Sequence, residues 1–408
     1  MLIENVPGSE SAGYMVGVRT GSRDEDKSVM GISHLLEHVV FRETKNRSSY
    51  QMSKEMEGAG GEMNAFTGRE MTAFYGVTIK ETKDVAKDTV SDVVVNPLIN
   101  EKDVELEKKI VLQELSMIEN EPEEYIHDLF LANMWRGHPL SQDEGGKPDI
   151  VKGLDSEDLR KYYEERYGIP NIAVFATGAV EMEEVLSWAE EKFDGLSGKK
   201  RTVRERPRAP EAGYSFVKNN SEHYHVAMGF PAYGPDHPDR VPLMLLSAII
   251  GSGTSSRLFQ EVRERKALVY AVNNAVEQHS DAGVLCTFMS STGANVIEGM
   301  ETAAKVYRDI RDNGLEKGEL ERTKNLIKGV LVRSMESTER RMYRLGIEYL
   351  LSGRYRSLGD RLKAVSDAEE EDIMRVASDV INGSGLNVSV LGRKNRSISR
   401  FSSSQLDV

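Results

Sequence analysis

The chain has 408 residues, of which 29% are charged and 39% hydrophobic, a balance that describes a folded globular protein and excludes a disordered one. That length exceeds what one compact core usually serves, so two or more domains are expected. A net charge of −13 argues against general nucleic-acid binding, and no apolar run approaches the 18 residues of a membrane span.

The N-terminus, M-L-I-E-N-V-P-G-S-E, has neither the basic segment nor the apolar run of a secretory signal. The one cysteine, Cys286, excludes an internal disulfide and fits a reducing cytoplasm. Its apolar setting, G-V-L-C-T-F-M, predicts a buried, inert thiol.

In chain order, residues 13–19 predict a strand, followed by a charged loop. Gly31 to Phe41 then reads G-I-S-H-L-L-E-H-V-V-F. On a helix, His34 and His38 are i and i+4 and share a face, with Glu37 on the same side. The pattern H-x-x-E-H is the inverted form of the H-E-x-x-H zinc helix. Two neutral imidazoles at this spacing fill two corners of a tetrahedral metal site, beside a carboxylate. On the motif alone, two satisfied helical histidines remain the alternative. Against it stands the flanking apolar run, where each buried polar group must find a partner.

A helix is expected at about Ser49–Glu57, and strands over Glu62–Lys80 with a turn at Thr67–Gly68–Arg69. Helices follow at about Lys83–Val94 and at Glu101–Asn120. Glu107 and Glu114 lie two turns apart on one face of the latter, and Glu114 sits between Leu112 and Leu115, deep in the helix, where a carboxylate needs a reason. Residues 155–167 predict a charged helix capped by Asp155 or Ser156, Asn171–Val180 a buried strand, and Glu181–Phe193 an amphipathic helix. Gly195–Gly213, rich in Gly, Pro and charge, reads as an interdomain linker. The Ser-rich tail from Lys394 is expected to fray.

The second half repeats the first. Glu105 and Glu319, Asp158 and Asp372, Val174 and Val388, and Gly178 and Gly392 are each 214 positions apart. This predicts a duplicated domain of roughly 200 residues, with an N-terminal domain over 1–198, a linker over 199–213 and a C-terminal domain over 214–408. The repeat of the histidine helix, Leu243–Ile250, carries no ligand, and Lys328 stands 214 beyond Glu114. A fold that repeats without these groups does not need them for stability, so they point to chemistry.

Four segments resemble the pitrilysin-type zinc peptidases, in the short two-domain branch that includes mitochondrial processing peptidase subunits and their prokaryotic relatives. They are G-I-S-H-L-L-E-H, G-G-E-M-N-A-F-T, V-L-Q-E-L, and G-S-G-T-S-S-R-L-F-Q-E-V-R-E-R-K-A-L-V-Y at 251–270. The resemblance spans nearly the whole chain. It implies an α+β fold of two duplicated domains, each a mainly antiparallel sheet covered by helices. It also implies one Zn2+ per chain on His34, His38 and Glu114, with Glu37 as general base on the metal's water and Glu107 supporting the site. Asn64 and Ala65 would line the cleft where an extended substrate adds as a strand. Arg263 and Tyr270 would contact substrate near the scissile carbonyl. Taken alone, Arg263 is one charge among Glu261, Glu264, Arg265 and Lys266, and Tyr270 is a core ring.

The implied activity is a zinc metalloendopeptidase acting on peptides or unfolded segments in an enclosed chamber. The alternative is a non-catalytic structural or partner subunit of a heteromeric complex. Because this chain carries both the zinc residues and the Arg–Tyr pair, a homodimer with composite sites is expected, a heterodimer being the other arrangement. Neither nucleic acid nor membrane is an expected partner, and the expected compartment is the cytoplasm. The G-S-G-T-S-S loop lacks the Gly-Lys-[Ser/Thr] ending of a phosphate cradle, and His223 and His225 read as surface or structural histidines. Two departures from the relatives stand out: a first strand expected to be short or missing, and Ala267 where glycine is usual.

Overall fold

In the computed structural model, residues 1–196 and 202–408 are described. The boundary expected at 198/199 falls outside the described residues, and 202–212 form neither helix nor strand. The chain divides into two compact units. The first comprises Met1–Ser116, Gln142–Glu205 and Ser334–Tyr355; the second comprises Met117–Ser141, Arg206–Arg333 and Arg356–Val408.

The first unit is built on a five-stranded sheet of β1 (Leu2–Asn5), β2 (Ser11–Val18), β3 (Glu62–Thr67), β4 (Thr72–Ile79) and β5 (Ile172–Gly178), in the order β1-β5-β2-β4-β3. Only β1 and β5 pair in parallel; the other neighbours are antiparallel. The first strand is present but has four residues. The central strand β2 is buried on both faces. Ala12, Tyr14, Val16 and Val18 point into a core with the histidine helix, while Met15 faces the helix Thr338–Ser352 through Met342, Leu345 and Leu350. Gly17 makes room for that helix, since a Cβ there would come 2.6 Å from Leu350 Cδ1.

The second unit repeats the plan with β6 (Gly213–Lys218), β7 (Tyr224–Ala232), β8 (Val269–His279), β9 (Ala282–Ser291) and β10 (Asn387–Gly392), in the order β6-β10-β7-β9-β8. Its central strand β7 packs Val226, Met228 and Phe230 on one face. Ala227, on the other, meets the helix Pro122–Met134 through Ile126, Phe130 and Leu131.

The two sheets are therefore each covered on one face by a helix from the opposite half of the sequence. Pro122–Met134 belongs to the second unit and Thr338–Ser352 to the first. These helices hold equivalent places in the repeat, so the exchange is reciprocal.

Secondary structure follows the sequence pattern closely, including the 20-residue helix Glu101–Asn120 and the helix Ser156–Arg166, capped by Asp155 through the N–H groups of Glu157 and Asp158. The tail differs from expectation. Ile398, Phe401 and Leu406 are buried in the second core, and Ser402 caps a short 3-10 turn. Apolar residues spaced among the serines dock the segment, and the hydroxyls satisfy its turns.

Candidate metal centre

The helix Ile32–Val40 buries Ile32, Leu35, Leu36, Val39 and Val40, leaving His34, Glu37 and His38 on its other face. Gly31 precedes it in a left-handed conformation, φ 95°, and supplies no side-chain cap. Glu25 substitutes for one. Its Oε2 accepts from Gly31 N at 2.6 Å and its Oε1 from Ser33 N at 2.8 Å, satisfying donors that a helix start leaves open. Ser33 Oγ is hydrogen-bonded to Tyr162 Oη at 2.8 Å, which in turn meets Thr20 Oγ1 at 2.9 Å. The start of the helix is thereby pinned to the core.

Glu114 approaches from the helix Glu101–Asn120. Its Oε2 lies 3.4 Å from His38 Nε2 and 3.9 Å from His34 Nε2. The two imidazoles stand edge to face, their centroids 4.7 Å apart. One donor atom from each of His34, His38 and Glu114 falls within 4.8 Å of the others, and among the described residues this is the one such cluster. Two imidazole nitrogens and a carboxylate oxygen are a donor set of catalytic zinc sites.

The electrostatics suit a cation. Burial, with His38 adding to it, pushes His34 down to about 4, so this imidazole is neutral at pH 7 and its lone pair is available. His34 Nδ1 is buried without a hydrogen-bond partner. Burial pulls His38 down too, but the hydrogen bond it donates to Glu107 and the charges of Glu114 and Glu37 outweigh it and raise its pKa. His38 Nδ1 lies 3.0 Å from Glu107 Oε2. A carboxylate only accepts, so the proton sits on Nδ1 and Nε2 faces the cluster. Arg42 Nε stands 3.3 Å from the other Glu107 oxygen. Such outer partners fix the orientation of a ligating histidine.

Glu37 accepts a hydrogen bond from Thr67 Oγ1 at 2.6 Å. Burial raises its pKa against the lowering effects of Thr67 and His38. Asn64 and Ala65 lie on β3, an outer strand paired to β4 alone. Asn64 is exposed, and its Oδ1 accepts from Ala65 N at 2.8 Å.

Arg263 and Tyr270 belong to the second unit. Arg263 lies in a π-helical turn, Phe259–Arg265, with its guanidinium carbon 4.9 Å from the Phe259 ring centroid. Tyr270 is not a core ring: it is 59% exposed. The register of β8 against β9 slips between Val269 and Ala271, so Tyr270 is the extra residue of a β-bulge, a device that re-aims a side chain. Its ring lies 4.6 Å from that of His223. His225 is buried, and Cys286 is buried with its thiol pushed well up.

Three residues of this centre escape the sequence pattern: Glu25, Arg42 and Thr67. Each acts through a contact between separate elements, and none carries a motif. The single available signal is the Thr67 hydroxyl, at the first position of the expected turn Thr67–Gly68–Arg69; the structure makes it the last residue of β3.

The α+β duplication and a helix that turns two histidines and a glutamate toward a glutamate of a second helix define the class of inverted-motif zinc metallopeptidases. The family model described as Insulinase (Peptidase family M16) matches residues 1–145, and that described as Peptidase M16 inactive domain matches 153–327; the chain belongs to peptidase family M16. It is 32% identical over 392 residues to an uncharacterized zinc protease of Mycobacterium tuberculosis, covering 94% of this chain and 88% of the relative. It is 30% identical over 379 residues to an uncharacterized zinc protease of Bacillus subtilis, covering 92% of each. A protease from Helicobacter pylori shares the fold, with a TM-score of 0.88 over 95% of this chain and 96% of that chain, at 22% identity.

Proposed function

We propose that the protein is a zinc-dependent metalloendopeptidase that hydrolyses peptides or extended segments of unfolded polypeptide. The observation that supports this most directly is the convergence of His34, His38 and Glu114 donor atoms within 4.8 Å, with Glu37 on the same helix. His34, His38 and Glu114 would hold one zinc ion. When bound, zinc supplies a Lewis acid and lowers the pKa of water. Glu37 takes the proton that water loses as its oxygen bonds to the scissile carbonyl carbon. It delivers that proton to the amide nitrogen as the C–N bond breaks. Arg263 and Tyr270 supply donors for the charge that gathers on the carbonyl oxygen.

The substrate pairs as an added strand on β3. There the Asn64 side chain occupies the Ala65 N–H, and a carbonyl of the incoming strand replaces it. The working form is a homodimer in the cytoplasm, each site using the histidine helix of one copy and the Arg263–Tyr270 pair of the other.

The test is digestion of a mixed pool of unstructured peptides, ~10–40 residues long to suit strand addition, read by mass spectrometry. Wild type and Glu37→Gln are run side by side, and both are assayed for zinc. Cleavage by wild type alone is the expected result. Zinc in both proteins with cleavage by neither overturns the peptidase reading.

A further inference from the structure

Thr67 is the last residue of β3, opposite Thr72 at the start of β4. Everything around this hairpin turn is tied down. Gly68 N donates to Met71 O at 2.8 Å, and Thr72 Oγ1 to Thr20 O at 3.0 Å. Arg23 N donates to Arg69 O at 2.8 Å, while Arg23 Nη1 lies 2.6 Å from Glu70 Oε1. Arg69 Nη1 donates to Glu144 Oε1 at 2.9 Å. Arg23, Arg69, Glu70 and Thr72 are all buried. A hydroxyl mounted on such a turn holds its position with little freedom.

That hydroxyl donates to Glu37 Oε2 at 2.6 Å, and among the described residues it is the one side chain that donates to Glu37. A carboxylate that moves a proton needs one oxygen left open toward water and a fixed plane, because small misplacements of a reacting group cost rate steeply. Thr67 provides both conditions: it occupies Oε2 and leaves Oε1 free.

We infer that Thr67 is a positioning residue for Glu37, setting the orientation of the general base from the end of the strand on which an extended peptide pairs. The inference rests on the peptidase reading for its kinetic consequence, though not for its geometric one. Thr67 lies two residues beyond Ala65 on the same strand, so strand pairing and base orientation share one piece of backbone. Peptide affinity comes from the backbone of β3, which a side-chain change at its end leaves in place.

The experiment compares Thr67→Val, which keeps the shape without the donor, with Thr67→Ser, which keeps the donor. Zinc-loaded proteins are assayed on a peptide that wild type cuts and Glu37→Gln does not, and each is crystallised. The expected result for Thr67→Val is a fall in kcat of ~10-fold or more, within the loss that mispositioning produces. Its KM should stay within about two-fold and its zinc content unchanged, because strand pairing and the metal ligands are intact. Thr67→Ser should recover most of the loss. In the crystals, the Glu37 carboxylate should be turned or split between rotamers in Thr67→Val and single in Thr67→Ser. An unchanged kcat in Thr67→Val, or one unchanged Glu37 orientation, overturns the inference. If wild type cuts nothing while Glu37 still loosens in Thr67→Val alone, positioning stands and the peptidase reading falls.

Discussion

Glu107 holds His38 from one side and is held by Arg42 on the other: His38 Nδ1 lies 3.0 Å from Oε2 and Arg42 Nε 3.3 Å from Oε1. Glu107 is 4% exposed, so its charge is screened little and its hold on the imidazole is strong. Glu107→Ala leaves His38 free to rotate and to change tautomer. Zinc affinity is expected to fall by about 10- to 100-fold, the usual cost of losing such a partner. Glu107→Gln keeps an acceptor without the charge and should fall between. Competition with a chromophoric chelator measures both, and equal affinities across the three proteins would remove Glu107 from the centre.

Glu25 makes stability depend on pH in a defined direction. Burial pushes its carboxyl up to about 7 from an ordinary 4.5, against the lowering effect of the Ser33 and Gly31 amides. Between pH 4.5 and 7 the folded chain therefore keeps a proton that the unfolded chain has released. Stability from this group is greatest below pH 4.5, falls as pH rises through the window, and is fully lost above 7. At 1.36 kcal/mol per unit the scale is about 3 kcal/mol. Glu25→Gln cannot titrate and adds only a fixed cost, since its amide satisfies one of the two helix N–H groups. Urea unfolding of the metal-free proteins at pH 5 and pH 8 should show wild type losing more stability than the variant between the two. Parallel losses would mean that Glu25 is ionised throughout.

The histidine helix was legible in the sequence because its signal is local: three polar residues at helical spacing in an apolar run fix both the fold of the segment and its exposed face. The duplication was legible because Val174 and Gly178 recur unchanged at Val388 and Gly392. Strand β3 and its turn followed from alternation. What periodicity cannot express is which distant element a residue meets. Thr67 and Glu37 are 30 positions apart, Arg42 and Glu107 65. The helices Pro122–Met134 and Thr338–Ser352 look from their sequences like ordinary members of their own halves. Only the bare face of β2 at Gly17, closed by Leu350, reveals the exchange. The buried tail was missed for a related reason: Ile398, Phe401 and Leu406 are too irregularly spaced to read as a helix or a strand.

Ala267 carries a measurable strain. Its φ is +50°, and it follows the π-helical turn of Arg263, with its N–H bonded to Arg263 O at 3.0 Å and Leu268 N to Val262 O at 2.9 Å. This is a helix-terminating position where glycine is preferred. A side chain in this region costs about 1–2 kcal/mol, against which glycine loses roughly 0.5–1 kcal/mol more backbone entropy on folding. Ala267→Gly should therefore stabilise the protein by up to about 1 kcal/mol, seen as a higher urea midpoint. A lower midpoint would show that the turn relaxes to accommodate the methyl group.

The last prediction concerns assembly. Arg263 and Tyr270 lie in the second unit and the metal donors in the first, so each copy carries both halves of the proposed chemistry. If a site combines the histidine helix of one copy with the Arg–Tyr pair of another, Glu37→Gln and Arg263→Ala inactivate different halves. Dimers of each variant alone should be inactive. In a mixed dimer one of the two sites is built from the undamaged halves of both chains, while the other carries both lesions. With equal amounts of the two variants and random exchange, half of the dimers are mixed, so about a quarter of wild-type activity should return as exchange proceeds. The measurement is peptide cleavage against time after mixing, with exchange followed separately by mass labelling. Full exchange without recovery would place all the catalytic groups of a site within one chain, and a monomer in solution would do so at once.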